Sequence, residues 1–335
     1  MTITNKRMML WAGLIGLITW ILASARPLQA AGIVGNGTPA SCTAAALTAA
    51  LSGGGTVTFN CGPAPHTITL TAVQTITTDT TIDGSGLITL SGGMATRLFS
   101  VQNGATFTVR GLQMVNGYTT DNGGAIYAER LSTLTIEDCL FQDNVAANGG
   151  AIATNGWGAN DDGVAVSING STFSHNTATA PALPGGGNGG GALYLSGGTA
   201  AMVSDTTFSG NTAGNGGAIH LLHSNLWATD VTFTSNSAQN AAGGGGGGAI
   251  YLDGTKALSG QVRLQACTLR QNSTNQLGGA IFSFPEGTGA TAVDQSTFDG
   301  NVSTNRGQGG AIYHQSALGS GSLTITRSLF VANRA

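Results

Sequence analysis

The sequence predicts an all-β chain wound as a right-handed single-stranded parallel β-helix, a solenoid opened by a short N-terminal capping helix. Three observations lead there. Gly supplies 54 of 335 residues against only 12 basic and 15 acidic ones, so the chain turns often and covers its surface with uncharged polar groups. Two short motifs, Gly-Gly-Ala-Ile/Leu and Phe/Leu-x-x-Asn, occur seven times each in strict alternation. Between them lie period-two stretches such as Leu134-Thr135-Ile136 and Leu323-Thr324-Ile325, which mark strands with one buried face. No amphipathic helical pattern is present to cover a flat parallel sheet, so the strands must cover one another, coil upon coil.

The composition excludes other classes. Collagen needs Gly at every third position and more than the 7 Pro present. A formal charge of −3 is too small for charge-driven disorder, and a pI near 5.9 with scattered basic residues gives no basic patch for nucleic acid.

Residues 1–30 read as a secretory signal peptide. Lys6 and Arg7 precede an apolar run from Met8 to Ala25, and small residues follow as candidate cleavage sites at Ala23-Ser24-Ala25 and Leu28-Gln29-Ala30-Ala31; the run is just long enough that an uncleaved N-terminal anchor is the alternative. Removing Lys6, Arg7 and Arg26 with this segment leaves a mature chain of about −6. No later run is long and apolar enough to span a membrane. Export permits disulfides, and Cys42 and Cys61 flank an expected helix over 43–51 and the strand that follows it; these two are expected to pair. Residues 31–116 lack the Gly-Gly tetrad but keep alternation at 67–70, 80–83, 88–90 and 106–109. They are expected to form the cap and two or three irregular first coils, the helix plugging the open end with Leu47 and Leu51.

Residues 117–335 form the repeat region. Tetrads begin at Gly123, Gly149, Gly190, Gly216, Gly247, Gly278 and Gly309, spaced by 26, 41, 26, 31, 31 and 31 residues. Each Phe is expected to stack on Phe of the next coil. Each motif Asn, namely Asn144, Asn176, Asn211, Asn236, Asn272, Asn301 and Asn333, is expected to bond its counterpart one coil away as a structural ladder. The paired Gly are expected to supply positive φ at a corner. Two residues before each Phe or Leu run Cys139, Ser171, Thr206, Val231, Cys267, Ser296 and Ser328, an inward column of small side chains in which the two Cys are buried spacers four coils apart, too far to bridge. Longer segments at 157–163, 177–189 and 237–246 are expected to be loops leaving the corners. The chain stops two residues after Asn333 with no capping element, which predicts truncation at the C-terminus.

The alternating Gly-Gly-Ala-Ile and Phe-x-x-Asn motifs resemble those of the chlamydial polymorphic outer membrane proteins and related bacterial repeat proteins, over roughly residues 112–335. The opening from Cys42 to Gly93 resembles the start of secreted β-helix proteins of the pectate-lyase-like class. The first resemblance implies a surface-exposed, adhesin-like passenger carried by a C-terminal outer-membrane barrel, a barrel that this sequence does not contain. The second implies polysaccharide lyases or glycoside hydrolases acting on polyuronides.

An enzyme of that kind needs acids projecting together from neighbouring coils. Three residues before the Phe stand Asp138, Asp205 and Asp230. Asp205 and Asp230 lie on adjacent coils and are the candidate catalytic pair, yet Ala266 and Gln295 follow them in the column, which favours solvated turn residues. Asp143 and His175 precede the motif Asn on consecutive coils and could meet as a surface ion pair. His220 and His223 suit a metal only on a helix, whereas this segment reads as strand. Asp161 and Asp162, in a Gly/Asn-rich loop, are the candidate metal ligands, with calcium as the ion; no other cofactor is expected. The balance favours a non-enzymatic, exported protein of the cell surface or extracellular space, adhesin-like or surface-structural, with the polysaccharide lyase or glycoside hydrolase as the alternative. Its expected partners are a host-cell, glycan or cell-envelope surface.

Overall fold

The computed structural model describes residues 32–155, 163–180, 188–239, 245–254, 260–285, 289–305, 307–316 and 321–335. They form a parallel β-solenoid of about nine turns. The segments expected as signal peptide and the Asp161-Asp162 pair lie outside the described residues.

One coil shows how the sequence makes each element. Ala165–Asn169 alternates, turning Val166 and Ile168 inward. Gly170 turns the corner at φ +61°. Thr172–Ser174 carries Phe173 inward, and His175 turns the next corner at φ +55°. Asn176 then enters the core, Thr177–Ala178 makes a short strand, and the tetrad leads into Leu193–Ser196. The next coil repeats the path in parallel register, Phe173 beside Phe208 and Ile168 beside Val203. Stacking thus generates sheets of 19, 6 and 9 strands. The first is double because Thr80–Ser91 and Thr106–Val115 run unbroken through a corner. The stretches at 80–83 and 88–90, read from sequence as separate, are one strand whose register shifts between Asp83 and Ile88.

The helix occupies Ala44–Leu51, with Thr43 as its N-cap: the Thr43 Oγ1 accepts the Ala46 N–H at 3.1 Å. It buries Leu47 completely and packs on the terminal strand Gly32–Val34, which pairs with Gly55–Phe59. Cys42 and Cys61 form a disulfide, with Cα atoms 5.6 Å apart, and tie the helix approach to the end of that second strand.

The interior is a set of columns. Phe141, Phe173, Phe208 and Phe233 stack with centroids 4.6, 4.9 and 5.1 Å apart. Leu269 interrupts, and Phe298 and Phe330 stack again at 4.6 Å. Beside them the small column from Cys139 through Ser296 is buried, and Cys139 and Cys267 are free thiols. Burial pushes both thiols up to about 11.

The Asn residues form a continuous amide ladder from Asn144 to Asn333. Each Nδ2 from Asn144 to Asn301 donates to the Oδ1 of the next Asn at 2.8–3.0 Å. It also donates back to a carbonyl of the preceding coil, as Asn176 does to Phe141 at 3.0 Å. Six of the seven, Asn333 excepted, are buried.

The two tetrad glycines have different reasons to be Gly. The first turns at positive φ on every coil, from +56° at Gly216 to +71° at Gly123, as expected. The second has ordinary φ, contrary to the expectation of positive φ for both. A Cβ there would lie 2.0–2.3 Å from the equivalent Gly carbonyl of the next coil, from Gly124 through Gly279. Close stacking, and not the turn, requires it.

Candidate functional site

The structure assigns the acidic candidates to a corner. Asp138, Asp205 and Asp230 adopt φ of +52°, +48° and +54°, a left-handed conformation that Asp tolerates better than most residues. The same position holds Gly170, Ala266, Gln295 and Arg327, all at positive φ. Asp205 and Asp230 do lie on adjacent coils, the Asp205 N–H donating to the Thr229 carbonyl at 3.3 Å. Both are exposed, and the Asp205 carboxylate accepts from Asn169 Nδ2 at 3.3 Å. Asp143 and His175 occupy the second left-handed corner, at +54° and +55°. They form no ion pair: Asp143 accepts from Gln142 Nε2 at 2.9 Å, and the His175 ring lies over Gly210 of the next coil. Among the described residues no group of three or more His, Cys, Asp or Glu could hold a metal.

His220 and His223 also separate. His220 lies within the strand Ile219–Leu222 and is completely buried; His223 follows the strand at φ +54°. Among the described residues neither His220 ring nitrogen has a hydrogen-bond partner. Burial pushes its pKa down to about 3.

His220 belongs to a column that was not anticipated. The residue after each tetrad runs Tyr127, Ala153, Tyr194, His220, Tyr251, Phe282 and Tyr313 in register. These side chains alternate with the inward Ile and so leave the coil interior, yet Tyr194, His220, Tyr251 and Phe282 are buried. Neighbouring rings from Tyr194 to Tyr313 lie 4.7–5.5 Å apart. Tyr251, Phe282 and Leu277 form a second hydrophobic cluster outside the main core. At the column's start, Arg97 spans to the next coil. Its guanidinium donates to the Gly123 and Asn122 carbonyls at 2.9 and 2.7 Å and lies 5.1 Å from the Tyr127 ring centroid. The signal was legible as an aromatic residue, in six of seven cases, directly after the tetrad.

The outward face of the long wall is different. Its central column passes from Thr135 and Ser167 to Met202, Trp227 and Arg263, then to Ala292 and Thr324. Met202 is 62% exposed, Arg263 is exposed and Trp227 half-buried. Beside Ala292 a shallow depression of about 180 Å³ is bounded by Arg263, Gln265, Asp294, Thr324 and Thr326. Asp294 is engaged by Arg327 and accepts from Thr326 Oγ1 at 2.7 Å. The Arg327 bond, with help from Thr326, holds its carboxyl down at about 2.

Among the described residues no helix is long and apolar enough to cross a membrane, which leaves β-barrel spans unaddressed. Residues 138–155, 205–221, 230–253 and 295–315 match the Chlamydia polymorphic membrane protein (Chlamydia_PMP) repeat. The probable autotransporter YfaL of Escherichia coli (strain K12) is 30% identical over 172 residues, 49% of this chain but 11% of that protein. No solved structure matches. The first matched segment contains both Phe141–Asn144 and the tetrad at Gly149, so the matching residues are those that build the Phe stack, the Asn ladder and the Gly corner. Both comparisons support a surface-exposed β-helix protein. The chain is a parallel β-solenoid with four segments that match the Chlamydia polymorphic membrane protein repeat.

Proposed function

We propose that this protein is exported through residues 1–30 and displayed outside the cell, at the outer membrane or beyond it, as an adhesin-like, non-enzymatic binding surface. The surface repeat and the autotransporter relative support the location. One observation carries the non-enzymatic reading: the Asp205 and Asp230 position is a left-handed corner that other coils fill with Gly170, Ala266, Gln295 or Arg327. A backbone requirement accounts for those acids without chemistry. The long walls offer instead a rigid flank that repeats every ~4.8 Å, where hydrogen bonds and shape carry recognition. A host-cell, glycan or cell-envelope surface is the partner such a flank fits.

Two measurements test this. Protease added to intact cells should degrade a tagged copy, and protection would refute display. The purified protein should leave polygalacturonate intact with or without calcium. Depolymerisation abolished by Asp205→Ala or Asp230→Ala would establish the lyase or hydrolase reading in its place.

A further inference from the structure

A solenoid wall repeats each outward position on every coil, so a departure within a column is easily seen. On the long wall the departure is Trp227 followed by Arg263 and then Ala292. Trp227 stands half-buried beside the exposed Met202 of the preceding coil, in a column that elsewhere bears Thr135, Ser167 and Thr324. Arg263, its register partner on the next coil, donates to Gln261 Oε1 at 3.2 Å and pairs with no carboxylate among the described residues. The nearby Asp294 is already held by Arg327. Ala292 stops at Cβ, and the missing side chain opens the depression of about 180 Å³ between Arg263, Gln265 and Thr324.

We propose that Trp227, Arg263 and the depression over Ala292, on three successive coils, form a site for two neighbouring sugar residues of an anionic polysaccharide, one on Trp227 and one in the depression, which is bound and not cleaved. A pyranose ring has an apolar C–H face and a polar rim. Trp227 supplies an amphipathic aromatic surface for the first. The unpaired Arg263 fork supplies the charge-assisted contact for a carboxylate or sulfate. Gln265, Thr324 and Thr326 supply donors and acceptors for ring hydroxyls. The depression holds a single ring, and the solenoid axis sets the direction in which a chain can continue over the wall. With a single cation lining the depression and a net-negative protein, binding is weak per site and falls with salt.

This inference rests on the reading of the flank as a binding surface, and its test uses purified protein so that display and adhesion are judged separately. Binding is measured by calorimetry to hyaluronate, dextran sulfate, neutral dextran and polyglutamate. Hyaluronate or dextran sulfate should bind, their ratio telling carboxylate from sulfate, while dextran and polyglutamate should not. Arg263→Gln and Trp227→Ser should each weaken binding about tenfold or more, with circular dichroism and melting unchanged. Ala292→Phe, which fills the depression beside Arg263 and leaves Trp227 unaltered, should do the same and covers the case in which the Trp227 variant misfolds. Equal binding to polyglutamate, or full affinity in folded Arg263→Gln and Ala292→Phe, overturns the proposal. So does an absence of binding to both anionic polysaccharides.

Discussion

The Oδ1 of Asn211 accepts two hydrogens from Asn176, one from its backbone N–H and one from its Nδ2, each at 3.0 Å. The Asn211 Nδ2 in turn reaches Phe173 O and Asn236 Oδ1, both at 2.9 Å. One buried amide therefore satisfies groups on the coils before and after it.

Asn211→Ala leaves the Asn176 N–H and amide, the Phe173 carbonyl and the Asn236 oxygen each short of a partner. Unmet buried groups cost about 1–3 kcal/mol each, so a destabilisation of about 3 kcal/mol or more is expected in urea titration. Asn333→Ala, at the exposed last coil, should cost far less. Equal effects at the two positions would show that the ladder does not act as a buried network.

Gly217→Ala tests the stacking role of the second tetrad glycine. Its Cβ would meet the Gly248 carbonyl at 2.2 Å and the Ser237 nitrogen at 2.5 Å. Gly86, at φ +75°, has nothing within 4 Å. Gly86→Ala should cost about 1–2 kcal/mol from backbone strain alone. Gly217→Ala should cost about 3 kcal/mol or more, at the upper end of overpacking effects. Thermal melts that rank the two in the opposite order would remove the close-stacking argument.

His220 should make the protein acid-sensitive. The unfolded side chain binds its proton near pH 6.5, whereas the folded one, held neutral between Tyr194 and Tyr251, does so only near 3. The unfolded state thus binds more protons between these values, and stability is full above 6.5 and lost as pH falls toward 3. At 1.36 kcal/mol per pH unit the loss between pH 7 and 5 is about 2 kcal/mol. His220→Phe continues the ring column and should abolish this component, seen as a smaller drop in Tm over that range than in the parent protein. Identical pH profiles would contradict it.

Thiol accessibility separates the four cysteines. Cys139 and Cys267 are buried with raised pKa, and Cys42 and Cys61 are joined. The native protein should react with no thiol reagent at pH 8, denaturant should release two thiols, and denaturant with reductant all four. Reducing the disulfide, which closes a 19-residue separation, should weaken the N-terminal cap by about 3 kcal/mol. A native protein that labels at Cys139 would contradict the burial of that column.

Much of the fold was legible because a stacked coil writes its columns directly into the repeat. Phe141 lies over Phe173 because both stand at one place in the motif, and the same holds for Asn144 and Asn176. The corners were less legible. Asp205 and Gln295 share no chemistry, and only their common φ near +48° reveals a backbone requirement. The tetrad glycines likewise look equivalent in sequence, although one turns the chain and the other admits the next coil.

The sequence by itself determined the coil, its period and its inward columns, since period-two alternation and motif spacing set which side chains face the axis. Tertiary structure decided what happens on the outside. Tyr194, His220 and Tyr251 point away from the axis and are still buried, whereas Trp227 and Arg263 point away and meet solvent. Alternation tells inward from outward along one strand. It does not tell which outward face will be covered, because that depends on what the neighbouring coils place alongside, here a column of rings 4.7–5.5 Å apart that bury one another.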